Sequence, residues 1–376
     1  MNNLSFSSKL DLEKFLNNEK LKKIFIICGK NSYNKSGADK ILNALLKKKQ
    51  SKFFYKEFAY PDISELKNII LEIKKFSPDL IIAVGGGSVL DYAKIANVLT
   101  DCENIKEKIK NSKYEIKKKF TTLVAIPTTA GSGAEVTTNA VIYIDKMKYS
   151  VEGPNLRPDY FFLIPELVIG ASKKIKSSAG FDAISQAIES IISRKSNEQS
   201  LDFAKKSLKI SLGSYLDYIN NPNNDNTASM CLAANLSGEA ISISKTTAPH
   251  AVSYPFTSYF NISHGHAVSL TLNEFLLFNF KKKEFANCSF NLEDRYKTIF
   301  EITKTANIND LDLFLKKIKS EASLIDNFQK LDIDIESNLD TILSNINVQR
   351  LTNNPINLLI DDIKNILLKK NFSKSV

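Results

Sequence analysis

The sequence is poor in the residues that define several common protein classes. It has no tryptophan, four cysteines and only three histidines among 376 residues. The cysteines lie far apart without a Cys-x-x-Cys spacing, which argues against a zinc ribbon or a disulfide framework and indicates reduced thiols. No apolar run approaches the roughly 20 residues that span a bilayer, and no signal peptide is recognisable. We therefore expect a cytoplasmic protein without a membrane partner.

The net charge and the length of the chain further restrict the class of protein. The formal net charge is +10, but the lysines occur in short, dispersed runs without interleaved aromatic residues. We therefore expect no nucleic-acid partner. The positive charge is better explained by attraction of a small anionic substrate. The length suits two domains at roughly 100–200 residues each. Strand patterns give way to helical periodicity near residue 173, which places the two domains at 1–172 and 173–376.

The first domain alternates β-branched runs with segments of helical periodicity. We predict strands and helices in turn, the strands at 23–29, 52–59, 79–85 and 121–128 and the helices at 36–49, 62–76 and 88–100. This alternation is typical of a parallel sheet covered by helices. After residue 173 the apolar positions follow helical spacing and strand patterns disappear. The sequence thus predicts an α/β dinucleotide-binding domain with a parallel sheet, followed by an all-α domain.

Two glycine-rich segments of the first domain have the features of a phosphate site. The first, 84-VGGGSVLDYAK-94, joins a strand to a helix and leaves N–H groups uncovered at a helix N-terminus, which favours an anion. Its Ser88 can cap that helix and also contact the anion. The second, 127-PTTAGSGAEVTTNAVI-142, offers hydroxyls to a pyrophosphate or a nicotinamide. The candidate cofactor-binding residues are Gly85, Gly86, Gly87, Ser88, Thr128, Thr129 and Ser132; ordinary connecting turns are the alternative.

All three histidines lie in one stretch, 245-KTTAPHAVSYPFTSYFNISHGHAVSL-270. Histidine is the commonest metal ligand, so this concentration indicates a chemical centre. Asp182 and Gln186 lie four residues apart, on one face of a predicted helix. Asp182, His250 and His264 offer a carboxylate and two imidazoles, a set that suits zinc or ferrous iron and leaves positions open for substrate. The alternative is that the histidines only bond backbone carbonyls.

Together these stretches resemble the iron-containing alcohol dehydrogenase family over most of the chain. The likeness lies in four motifs: the GGGS-x-x-D-x-x-K turn at 85–94, the PTTAGSGAEVT loop at 127–137, GFDAISQAIES at 180–190 and a His-x13-His pair. The pair is His250 and His264, and the second histidine is followed by glycine. The resemblance implies the fold shared with dehydroquinate synthase. It also implies NADPH or NADH as cofactor and one catalytic divalent metal, Fe²⁺ or Zn²⁺, in the cleft between the domains.

Residue by residue, the resemblance assigns Asp182, His250 and His264 as catalytic metal ligands. Gln186 occupies the position of the fourth ligand, usually a histidine. Either three strong ligands and water hold the ion while Gln186 coordinates weakly, or Gln186 bonds solvent or substrate instead. Tyr254 stands where many members have a further histidine, which leaves the proton donor unassigned.

The resemblance extends to cofactor selection. Asp91 belongs to the turn that binds the cofactor. Members that select NAD have a carboxylate near the end of the first strand, whereas this chain has Gly29 followed by Lys30. The missing acid and the added base remove repulsion against a 2′-phosphate, which favours NADPH.

Within the family, residues 237–267 are most similar to reductases that convert phosphonoacetaldehyde to 2-hydroxyethylphosphonate in phosphonate biosynthesis. A phosphonate needs cationic and hydroxyl partners, and we assign substrate binding to Lys245, Thr246, Arg194 and His266. An uncharged substrate, as in lactaldehyde-type reductases, is the alternative. A dehydroquinate synthase-like lyase and a non-catalytic paralogue are further alternatives. The expected partner is a small aldehyde or alcohol, and a homodimer is compatible with the sequence.

Overall fold

The computed structural model describes residues 8–372, which divide into two compact units. Unit 1 contains the described residues through Ser172 together with Asn223–Cys231. Unit 2 contains Lys173–Pro222 and the chain from Leu232 onward. Helix α9 therefore begins in unit 1 and continues in unit 2.

Unit 1 alternates strands and helices along the chain. Its elements are α1 (Lys9–Leu16), β1 (Lys23–Gly29), α2 (Lys30–Lys35), α3 (Ala38–Leu45), β2 (Gln50–Lys56), α4 (Ile63–Phe76), β3 (Leu80–Gly85), α5 (Gly87–Val98), α6 (Ile105–Lys110), β4 (Thr122–Pro127), β5 (Asn139–Ile144), β6 (Met147–Glu152) and β7 (Tyr160–Phe161). Five strands form one parallel sheet in the order β2-β1-β3-β4-β7. This sheet confirms the predicted fold class for the first half of the chain.

The parallel sheet is buried on both faces. Along β1, Phe25 and Ile27 join one apolar core, while Ile24 and Ile26 join a second core on the opposite face. Alternate residues of a strand point to opposite faces, so a strand covered on both sides must be apolar throughout. That requirement explains the continuous apolar runs in the sequence.

Two local features of unit 1 differ from the prediction. The helix predicted at 36–49 is instead α3, with α2 before it, and Gly37 between them has a φ of +79° that glycine adopts readily. The antiparallel pair β5–β6 was not predicted. Its turn places Asp145 and Lys146 at positive φ without a glycine, so the usual hairpin signature is absent from the sequence.

Unit 2 is built from helices. They are α7 (Lys173–Ile192), α8 (Glu198–Asn220), α9 (Asn224–Ser244), α10 (Ala248–Phe260), α11 (His264–Lys281), α12 (Leu292–Thr303), α13 (Ile308–Glu321), α14 (Ile335–Ser344), α15 (Val348–Leu351) and α16 (Ile360–Phe372). From Lys173 to Phe372 the described residues form no strand, which confirms the predicted all-α second half. Among the helices of the described chain, none is both long and apolar enough to span a bilayer.

Candidate metal centre and dinucleotide-binding loops

The carboxyl ends of β1, β3 and β4 meet at one edge of the parallel sheet. Cys28 pairs with Val84, and Gly85 pairs with Pro127, so the turns after these strands start side by side. In parallel α/β sheets, ligands bind at this edge. The predicted glycine-rich turn and the predicted hydroxyl-rich loop are therefore neighbours.

The glycine turn packs directly against the hydroxyl-rich loop. A Cβ atom added to Gly87 would lie 2.9 Å from Ser132 Oγ, and one added to Gly86 would lie 3.3 Å from Thr129 Oγ1. Gly86 is the N-cap of α5 and has no side chain to cover the first N–H groups of that helix. The turn thus brings a helix N-terminus and two hydroxyls together, an arrangement suited to a phosphate group.

The role predicted for Ser88 as the helix cap is wrong. Helix α5 begins at Gly87 and its N-cap is Gly86, so Ser88 lies inside the first turn. Asp91 is buried, and burial raises its pKa to about 6 although nearby Lys94 and a hydrogen bond from the Val141 backbone oppose the increase. That hydrogen bond favours a structural role for Asp91, because it fixes β5 to α5; its role in cofactor binding stays a prediction.

Lys94 joins α5 to residues 134–139 of the hydroxyl-rich loop. Its side chain is fully buried, and Nζ donates to the Ala134 carbonyl at 3.0 Å, to Thr137 Oγ1 at 2.7 Å and to the Asn139 carbonyl. A buried ammonium needs such partners, because it has lost its hydration. The lysine of the GGGS-x-x-D-x-x-K turn therefore holds the second loop against the first.

Replacing Lys94 with methionine is expected to lower the free energy of unfolding by about 3 kcal/mol, because three acceptors, two of them in buried hydrogen bonds, lose a charged donor. The matched control is Lys75→Met on the exposed face of α4, which should change it by less than about 0.5 kcal/mol. Urea unfolding of both variants beside the unchanged protein measures the difference. Equal midpoints for all three proteins would contradict the anchoring role of Lys94.

Gly29 and Lys30 lie at the same edge of the sheet. Gly29 is the buried last residue of β1, and Lys30 is the exposed first residue of α2. The Ser32 hydroxyl donates to the Gly29 carbonyl at 3.0 Å. Gly29 and Lys30 thus occupy the end of β1 and the start of α2, and the preference for NADPH stays a prediction.

In unit 2, three helices bring Asp182, His250 and His264 together. One ligand atom from each residue lies within 4.8 Å of the others, and His250 Nε2 is 3.2 Å from Asp182 Oδ1. Asp182 and His250 are buried, whereas His264 is half-buried. One carboxylate and two imidazoles at this separation fit a divalent transition metal, with a more accessible side at His264.

A close approach of α11 to α7 positions His264. A Cβ atom added to Gly265 would lie 2.0 Å from the Ser178 carbonyl oxygen and 2.8 Å from Asp182 Cβ. Only glycine permits this contact, since the first neighbour is backbone and cannot rotate away. Gly265 is therefore required for His264 to lie close to Asp182.

The structure shows the contacts of Gln186. Its Nε2 donates to Asp182 Oδ2 at 3.2 Å, and its Oε1 accepts from the Ser237 hydroxyl at 2.9 Å. With this orientation the amide oxygen, the atom able to coordinate an ion, faces the Ser237 hydroxyl, while the NH₂ group faces Asp182. The contacts favour support of Asp182 over coordination, and the predicted ligand role of Gln186 stays a prediction.

A fourth buried group at this centre, Glu189, was missed from the sequence. Its Oε2 is hydrogen-bonded to His250 Nδ1, the ring nitrogen opposite the one that faces Asp182. Burial lowers the tendency of His250 to hold a proton, but Glu189 and Asp182 outweigh it and raise the pKa to about 9. Without an ion the protonated ring thus supplies the positive charge between two buried carboxylates, and a divalent cation would supply it in place of that proton.

Comparison with known proteins decides the family. Residues 7–165 match the iron-containing alcohol dehydrogenase profile, and residues 176–371 match the C-terminal domain of the same family. The chain belongs to the iron-containing alcohol dehydrogenase family. This confirms the resemblance carried by the turn, the loop and the ligand motifs.

Three relatives illustrate the range of the iron-containing alcohol dehydrogenases. Phosphonoacetaldehyde reductase of Streptomyces viridochromogenes is 32% identical over 218 residues, 55% of each chain, so this match spans about half of that relative's length. 1-Propanol dehydrogenase of Citrobacter freundii is 30% identical over 279 residues, 73% of this chain and 71% of that one. Sulfoacetaldehyde reductase of Bifidobacterium kashiwanohense, solved with NAD⁺, superimposes with a TM-score of 0.84 over 97% and 95% of the two chains; at 22% identity it shows the fold alone.

Two of the substrate residues predicted from the dehydrogenase resemblance are engaged elsewhere in unit 2. Arg194 Nη2 donates to Asn357 Oδ1 at 2.8 Å. His266 Nε2 lies 2.8 Å from the Ile325 carbonyl, and its backbone N–H donates to Ser178 Oγ at 3.1 Å. These contacts give both side chains a structural function, and their binding of substrate stays a prediction.

The other two predicted substrate residues directly precede the helix that carries His250. Lys245 is half-buried and has a φ of +60°, and Thr246 is buried. Sequence reasoning missed a second cation, Arg350, which is buried and within hydrogen-bonding reach of the Tyr254 hydroxyl. The Tyr254 ring in turn lies 6.0 Å from the His264 ring, measured between centroids. Arg350 therefore places positive charge beside Tyr254, a neighbour of His264 in the ligand cluster.

Proposed function

We propose that this chain is a metal-dependent, NAD(P)H-linked reductase of a small aldehyde, with phosphonoacetaldehyde as the preferred substrate and 2-hydroxyethylphosphonate as the product. The observation that carries the proposal is the cluster of buried Asp182 and His250 with half-buried His264, whose donor set suits one divalent metal. The similarity to phosphonoacetaldehyde reductase supports the finer choice of substrate.

In the proposed reaction the two units contribute different parts. In unit 1 the N-terminus of α5 and the hydroxyls of Thr129 and Ser132 orient the dinucleotide by its phosphates. The bound cofactor supplies the hydride. In unit 2 Asp182, His250 and His264 hold the metal, and Fe²⁺ and Zn²⁺ both suit these donors. When bound, such an ion supplies Lewis-acid polarisation of a carbonyl group.

The charges around the ligand cluster support an anionic aldehyde. Lys245 lies five residues before His250 in the chain, and Arg350 is buried beside Tyr254. A phosphonate group needs cationic donors of this type, and arginine binds it in a fixed geometry. We assign Lys245, Thr246 and Arg350 to that group.

A reductase for an uncharged substrate is the second candidate. The similarity to 1-propanol dehydrogenase extends over a larger part of both chains than the similarity to phosphonoacetaldehyde reductase, at nearly the same identity. In this case the ligand cluster and the glycine turn keep the same functions. The cations near the cluster would then serve only to balance buried carboxylates.

Steady-state reduction by the full-length protein distinguishes these candidates. Metal-free protein is loaded with Fe²⁺ or Zn²⁺, and oxidation of NADPH and NADH is followed with phosphonoacetaldehyde, acetaldehyde and propanal. We expect metal-dependent turnover, with kcat/KM at least about tenfold higher for the phosphonate, a difference of about 1.4 kcal/mol in transition-state stabilisation. Equal or faster turnover of the uncharged aldehydes would reject the phosphonate and select the second candidate.

A further inference from the structure

Glu189 makes an unusual number of contacts for one carboxylate. It is completely buried on α7, seven residues after Asp182, which places both on one face of the helix. Oε1 accepts from the Thr247 N–H at 2.9 Å, from the Thr247 hydroxyl at 2.8 Å and from the His250 N–H at 3.4 Å. Oε2 bonds the His250 ring at Nδ1. A single side chain thus fixes both the backbone and the ring of His250.

The contacts of Oε1 replace the normal cap of α10. Thr247 is the N-cap residue of this helix, yet its own side chain makes no capping hydrogen bond and donates to Glu189 instead. The first N–H groups of a helix have no partner within the helix, and a negative charge is favourable there. Glu189 therefore holds the first turn of α10 and, with it, the backbone of His250.

The contact of Oε2 determines the protonation pattern of the ring. A carboxylate only accepts, so Nδ1 of His250 must carry the hydrogen that it donates to Glu189. Nε2 lies 3.2 Å from Asp182 Oδ1, which is also only an acceptor, so without an ion Nε2 carries a hydrogen as well. Because Glu189 retains the hydrogen on Nδ1, Nε2, on the side of the other ligands, is the nitrogen whose hydrogen an ion can displace.

We propose that Glu189 is a positioning residue for the metal centre, which holds the His250 imidazole in the tautomer and orientation required for coordination. The inference depends on the proposed function for the presence of a metal at this centre. It differs from a purely structural role, because capping of α10 requires only an acceptor at Oε1. Orientation of the ring requires an acceptor at Oε2 as well.

Glu189→Gln separates the two roles. Glutamine has nearly the same shape, and its single oxygen can still accept from Thr247 and cap α10. Its NH₂ group must then face Nδ1, which reverses the hydrogen bond and leaves the hydrogen on Nε2. The matched control is Thr247→Val, which removes one hydrogen bond from the cap and leaves the contact between Glu189 and the ring. Glu189→Gln should keep the fold but lose the ability to present Nε2 to an ion.

The experiment measures metal affinity directly on the full-length protein, by titration with Zn²⁺ and Co²⁺ against a competing chelator, beside the thermal midpoint of the metal-free forms. We expect Glu189→Gln to weaken binding by about 10–100-fold with a nearly unchanged midpoint. We expect Thr247→Val to change affinity by less than about threefold while lowering the midpoint. Unchanged affinity in Glu189→Gln, or an equal loss in Thr247→Val, would reject the positioning role.

The same titration separates this inference from the proposed function. If the unchanged protein binds metal but reduces none of the aldehydes, the proposed activity is wrong while the behaviour of Glu189→Gln still tests the inference. If the unchanged protein reduces aldehydes and Glu189→Gln binds metal normally, only the inference fails. If the unchanged protein binds neither Zn²⁺ nor Co²⁺, both are rejected.

Discussion

Gly265→Ala is expected to lower the free energy of unfolding by about 3 kcal/mol and to remove most of the bound metal. The new methyl group would lie 2.0 Å from the Ser178 carbonyl oxygen, a contact that only separation of α11 from α7 can relieve. Overpacking of this type costs about 1–3 kcal/mol or more, and the cost is highest where backbone must move. Since His264 is the preceding residue, the same movement takes it away from Asp182.

The matched control for this prediction is Gly213→Ala on α8. An added Cβ there meets nothing within 4 Å, and alanine suits a helix interior better than glycine. We expect this variant to be as stable as the unchanged protein, or more stable by up to about 1 kcal/mol. The thermal midpoint and the metal content of both variants measure the effect. A Gly265→Ala protein with a normal midpoint and full metal content would show that α11 can move without affecting the centre.

Removal of the carboxylate of the cluster should have the second large effect. We expect Asp182→Ala to weaken metal binding beyond the roughly 10–100-fold typical of losing an outer partner, because a charged ligand disappears. Reduction of aldehyde should fall in parallel. Asp182 also accepts from Gln186 and faces His250, so the change reaches both neighbours.

Gln186→Ala provides the comparison that decides the role of the amide. Because its Nε2 donates to Asp182 and its Oε1 accepts from Ser237, we expect at most a tenfold loss of affinity, roughly the lower limit for an outer partner. Metal content after dialysis against a chelator, measured by elemental analysis, gives both values. If Gln186→Ala and Asp182→Ala lose metal to the same extent, the amide is a ligand, as the resemblance implied.

The sequence predicted the parallel sheet and the ligand cluster because both have strong local patterns. Strands covered on two faces, such as β1 and β3, must be apolar at every position and are therefore recognisable. The cluster was recognisable because His250 and His264 belong to a small set of histidines and lie near each other in the chain. Asp182 is distant from both histidines in the chain and was assigned to the cluster by the family resemblance of GFDAISQAIES.

The remaining features of the site depend on contacts between distant segments. Glu189 looks like any acidic residue of a helix, and its seven-residue spacing from Asp182 is the one sign that it belongs to the same face. Arg350 reaches Tyr254, beside His264, from α15, a helix too short to show periodicity. The need for glycine at position 265 follows from the Ser178 carbonyl, which no local pattern reveals.

Glu189 and Asp182, which contact His250, are far from it along the chain. This separation affects the order of events in folding. Sixty-one positions separate His250 from Glu189, and 68 separate it from Asp182. Bringing such distant segments together is slow, because the loop entropy must be lost before the contact forms. In zinc fingers the ion drives folding, whereas here α7 and α10 must pack before the ligands meet. We therefore expect an ion to be acquired after the helices have assembled, and to stabilise them by mass action.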